Sequence, residues 1–272
     1  MARPIPTWLS ASAAIVLAAS TWLWSVQTVA AAELSARDIA VLLVGASPAS
    51  PADLAGRDLT RLDLSGLDFK AARLEGADLF GADLSGANLA EVNLSGARLD
   101  RITMVKTRFD RANLTGASLL RPAGFSTLAS LAAEASTFAG ANLTRAKIFG
   151  RFHRADLTRA NLTDATLAPF GKTGFIEHIW RTEFLGATFD GANLIRADLG
   201  HVLFAYASMK GANLSGARLA HADLTGADLT GADLTGADFT DADVDGANFL
   251  GAKGLETIVG WATTRNTSRA IR

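Results

Sequence analysis

The 272-residue chain has no cysteine, only four histidines, few aromatics and a formal charge of just −1. Without cysteine there is no disulfide framework and no thiolate metal site. A near-neutral balance supplies no overall field to draw in nucleic acid or a membrane surface. Aromatics at 7% beside 25 glycines point to a core of small and aliphatic side chains rather than to bulky globular packing. Enzyme signatures are missing as well. Gly171, Lys172 and Thr173 imitate the end of a phosphate-binding loop, but Thr166 stands where its first glycine belongs, and Pro169 and Phe170 fill the loop. No Ser, His and acid trio is legible, and the many aspartates belong to a repeat rather than to a catalytic pair. The expectation is a protein that is not an enzyme and carries no cofactor.

What charge there is falls in bands. Lys and Arg against Asp and Glu number 10 to 12 over residues 33–120, 8 to 4 over 121–181, 3 to 10 over 182–252 and 4 to 1 over 253–272. A basic middle therefore adjoins an acidic array, and a basic tail follows. At the start, Arg3 precedes an apolar run from Trp8 to Leu23, and no charge appears before Glu33. That is the form of a secretory signal over residues 1–32, with small-x-small cleavage sites at Val29 and Ala31 or at Ala30 and Ala32. The rival is an uncleaved membrane anchor, since 25 uncharged residues from Trp8 to Ala32 are long enough to span a bilayer. Ser10, Ser12, Ser20, Ser25, Gln27 and Thr28 dilute that run, so the periplasm or secretion is expected, and membrane association only through residues 8–32.

From Asp53 onward apolar residues recur every five positions, with a small residue two places before each. The first array runs from Leu54 to Leu119 in one register. A middle array runs Phe138, Leu143, Ile148, Phe152, Leu157, Leu162 and Leu167, with one residue deleted between Ile148 and Phe152. A third runs from Phe184 to Phe249, and its purest stretch is GADLTGADLTGADLTGADFT. The chemistry of a unit follows from its letters. The large centre and the small residue before it point inward, Asp or Asn bonds nearby backbone, and Gly tolerates the corner. One unit cannot bury its inward pair alone, so units must stack as coils about 4.8 Å apart.

These tandem A-[DN]-L-[ST]-G units resemble the pentapeptide-repeat family over roughly residues 52–250. The resemblance implies an all-β fold, a right-handed quadrilateral β-helix with four units per coil, short helical caps and two inserted loops. Thirty-five centres then make just under nine coils and a rod of about 40 Å. Arg57, Leu62 and Leu67 stand where Ala is expected, which predicts an irregular first coil. Some members of the family resemble DNA and occupy topoisomerases. The acidic third array allows that role here, and the secretory segment and basic middle oppose it.

Both ends of such a rod need covering. Residues 33–51 predict a helical cap with Leu34, Ile39, Leu42 and Leu43 on one face, stopped by Gly45 and Pro48. Residues 253–272 predict a cap and tail in which Leu255, Ile258, Val259 and Trp261 close the last coil. The repeat proper, 52–252, is interrupted twice. Residues 120–137 predict a short helix started by Ser126 or Thr127. Residues 168–183 concentrate Phe170, Phe175, Trp180, Lys172 and His178, either folded back as a plug or forming a binding loop for an unidentified protein partner. Finally, residues 20 apart stack on one face, which places Arg181, His201, His221 and Asp241 on one step of the repeat. Two imidazoles and a carboxylate in a column are a candidate divalent-metal or pH-sensitive site, against the plainer reading of a solvated polar ladder. No nucleic-acid partner is expected.

Overall fold

Each five-residue unit carries an inward pair too small to form a core, and the chain solves this by stacking. The computed structural model describes residues 34–70, 72–124, 132–169 and 181–272, all within one compact unit, Leu34–Arg272. Asp58 pairs with Asp78, Asp63 with Asp83, Asp68 with Asn88 and Arg73 with Asn93, always in parallel and always 20 residues apart. Four five-residue steps therefore return the chain to the position above its start, and the architecture is a β-helix. Most pairing consists of single bridges. Only β1 (Ala52–Asp53) with β2 (Ala72–Arg73), and β3 (Ser118–Leu120) with β4 (Lys147–Phe149), run longer.

The unit centred on Leu79 shows why these letters hold this shape. Leu79 N–H donates to the Arg98 carbonyl at 2.8 Å and Arg98 N–H to the Ala77 carbonyl at 2.9 Å, so adjacent coils bond in both directions. Ala82 N–H closes the turn onto the Leu79 carbonyl at 3.0 Å, with Gly81 in the left-handed region at φ 69°. Asp78 Oδ1 accepts the Phe80 N–H at 3.0 Å, a local bond that fixes the corner. All 35 predicted centres are buried, and so is nearly every residue two places before them. Where that small position is polar the hydroxyl is satisfied: Thr107 donates to the Leu84 carbonyl at 2.8 Å and Thr182 to the Leu167 carbonyl at 2.6 Å.

Departures from regularity are absorbed without losing register. The pairs Arg108 with Thr137 and Asn113 with Asn142 are 29 apart, nine residues more than a regular coil. Thr137 with Asp156 is 19 apart, which is the one-residue deletion, and Arg151 with Glu183 is 32 apart. The first interruption is narrower than 120–137, because Leu120 lies in β3 and Ala123 still pairs with Thr103. Its described portion holds one 3₁₀ turn, Ala132–Glu134; Ser126 and Thr127 lie outside the described residues. The first coil is not irregular in pairing. Leu62 and Leu67 are accommodated half-buried against the core and Arg57 is exposed.

Helix α1 (Ala36–Val44) starts on a reciprocal cap: Asp38 N–H donates to Ser35 Oγ and Ser35 N–H to Asp38 Oδ2. Ile39 is fully buried, and Leu34, Ala36 and Leu43 pack around it against the core. Leu42 is instead exposed, because the buried stripe runs 36, 39, 43 and leaves 42 on its edge. At the other end the repeat does not stop at 252. Lys253, Val259, Arg265 and Ile271 pair with Asp233, Asp238, Asp243 and Asn248, at separations growing from 20 to 23. The last turn thus takes six residues per step, with left-handed corners at Gly254, Gly260 and Asn266. Trp261 lies over the end of the core, 6.2 Å from Phe239 and 5.9 Å from Phe249 between ring centroids. Val259, expected inside, is 56% exposed, since its backbone pairs while its side chain faces out.

Candidate functional site

The outward corner two places after each centre is where side chains differ along the rod. Its backbone is left-handed at nearly every described corner, which favours glycine, yet arginine occupies it at 61, 101, 111, 121, 145, 154, 159 and 196. In the third array one column of corners carries His201, His221 and Asp241, with φ of 59°, 60° and 55°. The two imidazoles stack, with centroids 4.6 Å apart and planes inclined by 16°. His221 Nδ1 lies 3.7 Å from Asp241 Oδ2, both side chains about half exposed, a spacing at which solvent screens most of the attraction. Arg181 and Arg265 join these three in lining an open hollow of about 330 Å³.

The structure brings His201, His221 and Asp241 together in the expected column, with the two rings stacked rather than converging on one point. Imidazole lone pairs lie in the ring plane, so near-parallel stacked rings aim them side by side rather than at one ion. Among the described residues, no three His, Asp or Glu side chains come together in a set able to hold a metal. The second sequence-derived site, Phe170, Lys172, Phe175, His178 and Trp180, lies outside the described residues.

A different cluster was missed. Arg121, Arg151, Arg181 and Glu183 line a notch of about 320 Å³ with Pro122, Phe149 and Gly150. The notch sits at the one-residue deletion, where Gly150 has φ 146° instead of the usual corner value near 65°. The signal was present in the shortened spacing from Ile148 to Phe152, which alters local geometry as well as register. Elsewhere the surface carries ladders: Asn113 Nδ2 donates to Asn93 Oδ1 at 2.9 Å, one coil apart. Arg196 grips Asp164 through two bonds of 2.8 and 2.9 Å, and that hydrogen bonding holds the Asp164 carboxyl below the usual range. No described helix is long and apolar enough to cross a membrane.

The stacked five-residue units define a class, and a comparison with family models agrees. Pentapeptide repeats match in eight copies over residues 52–86, 87–119, 182–219 and 212–251. The chain belongs to the pentapeptide-repeat family, whose fold is the right-handed β-helix. No curated protein matches it. Among solved structures it is similar to HetL, a pentapeptide repeat protein involved in heterocyst differentiation regulation from the cyanobacterium Nostoc sp. strain PCC 7120. Identity there is 26%, coverage 81% of this chain and 92% of that one, and the TM-score 0.32. A trypsin-treated QnrB1, a plasmid-mediated fluoroquinolone resistance protein, is 14% identical, with coverage of 80% and 94% and a TM-score of 0.38. Rfr23 from the cyanobacterium Cyanothece is 25% identical, with coverage of 50% and 90% and a TM-score of 0.23. The repeat itself, rather than these superpositions, carries the assignment.

Proposed function

We propose that the protein is an exported, non-enzymatic scaffold, a four-sided rod whose outer side chains bind another protein or support a larger assembly. The observation that carries this reading is the division within each unit. Inward residues keep one character along the rod, while the outward corner changes among glycine, arginine, histidine, aspartate and tyrosine. A rigid core with a variable surface suits recognition. Twenty-residue coils of four steps favour the four-sided cross-section, and the excess residues before Thr137 and Glu183 favour two inserted loops. Export rests on Arg3, the apolar run from Trp8 and the small residues before Glu33.

Mass spectrometry of the native protein tests export. A mature N-terminus near Ala32 or Glu33 is expected, and intact Met1 in soluble cytosol overturns it. Capture of a specific protein from the exported fraction by the mature chain tests the scaffold. One feature favours a second reading, mimicry of DNA toward a topoisomerase: residues 182–252 hold ten acidic against three basic groups. Cell fractionation separates the two, because a topoisomerase ligand must stay in the cytosol.

A further inference from the structure

The notch at Gly150 combines three features of a built site. Its floor admits no side chain: Gly150 has φ 146°, and a Cβ there would stand 2.9 Å from Pro122 Cδ and 3.3 Å from Arg121 Cα. Its walls come from three successive coils, since β3 and β4 place Arg121 beside Gly150, and Gly150 in turn accepts the Glu183 N–H at 2.9 Å. Its charge is unbalanced. Among the described residues Arg121, Arg151 and Arg181 face one carboxylate, Glu183, which His153 Nε2 engages at 2.7 Å. Arg181 Nε is buried without an acceptor among the described residues, and Arg151 forms no ion pair with them. A buried guanidinium N–H left unbonded is costly, and a bound anion would relieve it.

We propose that this notch binds a tetrahedral dianion, a phosphate group. Among the described lining residues three guanidiniums stand against one carboxylate, a formal excess of two positive charges, which one dianion neutralises and a carboxylate does not. Guanidinium forks match oxyanion geometry with paired N–H donors. The volume, about 320 Å³, equals the share of about ten waters in the liquid. That is more than a bare ion needs, so the group arrives on a larger molecule, as a phosphate monoester. The site deepens the binding-module reading, resting on it only in naming the chemistry one face accepts.

Calorimetric titration of the mature chain with inorganic phosphate, inorganic sulfate and phenyl phosphate, at low ionic strength, tests the proposal. Saturable binding of one anion per chain is expected. Arg181→Gln and Arg151→Gln should each weaken it by about tenfold or more, the loss for a hydrogen bond to a charged group. Arg159→Gln removes the same charge from another corner of the same coil and should change affinity less than about twofold, since distant exposed charges are screened. Arg181→Lys keeps the charge but not the fork, and binding between that of the parent and Arg181→Gln is expected. Tighter binding of phenyl phosphate than of inorganic phosphate supports an ester ligand, and preference for inorganic sulfate over both overturns the phosphate assignment. Equal weakening by all three glutamine variants would mean diffuse charge and no site. Absence of saturable heat with every anion also overturns it. A null titration leaves protein capture by the mature chain untouched, and failure of that capture leaves the titration untouched, so the two readings fail separately.

Discussion

The coil from Leu143 to Leu162 and the coils from Leu214 to Phe249 share an interior and differ at their corners. Inside, both bury aliphatic or aromatic centres with alanine before most of them. Outside, the first carries arginine at 145, 154 and 159, whereas the second carries glycine at 216, 226, 231, 236, 246 and 251 among acidic neighbours. The stack hardly registers the change. Arg145 N–H reaches the Thr163 carbonyl at 3.0 Å and Gly231 N–H reaches Leu250 at 2.9 Å. A non-glycine residue in the left-handed region costs about 1 kcal/mol, so the middle coil carries its charge at the expense of stability. The difference teaches that core and corner are independent: one sets whether the rod forms, the other what its surface presents.

That independence can be broken most forcefully from inside. Phe184 stacks at 5.2 Å on Phe152 and 5.7 Å on Phe204, linking the middle of the rod to the third array. Phe184→Ala should cost about 3–5 kcal/mol in denaturant unfolding, whatever the corners carry. Next, Ala232→Leu should cost about 1–3 kcal/mol by overpacking a fully buried position, and Thr230→Leu on the outside about 0.5 kcal/mol. Equal shifts in unfolding midpoint would contradict the inward and outward assignment.

Exchanging corners sharpens the comparison. A Cβ at Gly231 would meet nothing within 4 Å, so Gly231→Arg should cost only the left-handed strain, about 1 kcal/mol, and Arg159→Gly should return a similar amount. If Gly231→Arg costs as much as Ala232→Leu, corner and core are coupled after all.

The smallest effect concerns acid. The Thr235 hydroxyl, followed by its backbone N–H, holds the Asp233 carboxyl below the usual range. A carboxyl whose folded pKa is depressed adds stability that is complete above its unfolded pKa, about 3.9. That stability is lost as pH falls through the folded value. Thr235→Val should move the Asp233 titration upward in carbon-detected NMR and lower stability slightly near pH 7, where that contribution is complete, with the loss fading as pH falls toward the folded value.

Much of this was legible in the letters because the five-residue period ties each residue to a depth. The centres from Leu54 to Phe249 and the small residues before them follow from counting alone. The last coil escaped because its steps lengthen to six, and its markers are Gly254, Gly260 and Asn266 rather than a row of leucines. For the histidines, counting by twenty gives the column, but not the side-chain torsions that stack the rings. The arginine notch escaped for another reason: a deleted residue shows in a sequence as a shift in count, and only coordinates reveal that it also opens space.

Pairing at intervals of twenty makes the rod a counter. Removing one five-residue unit from the third array would turn everything after it by a quarter of a coil and bring Asp, Asn and Arg columns opposite new neighbours. Removing four would leave every later residue facing the same way, on a rod shorter by about 4.8 Å. Between Arg108 and Thr137 and between Arg151 and Glu183 the extra nine and twelve residues do neither, because they leave the count and rejoin it on the same face. Length variants of this chain should therefore be tolerated best in whole coils or at those two places, with single-residue changes absorbed only where the pairing already departs from twenty, as at Ile148–Phe152 and in the last coil.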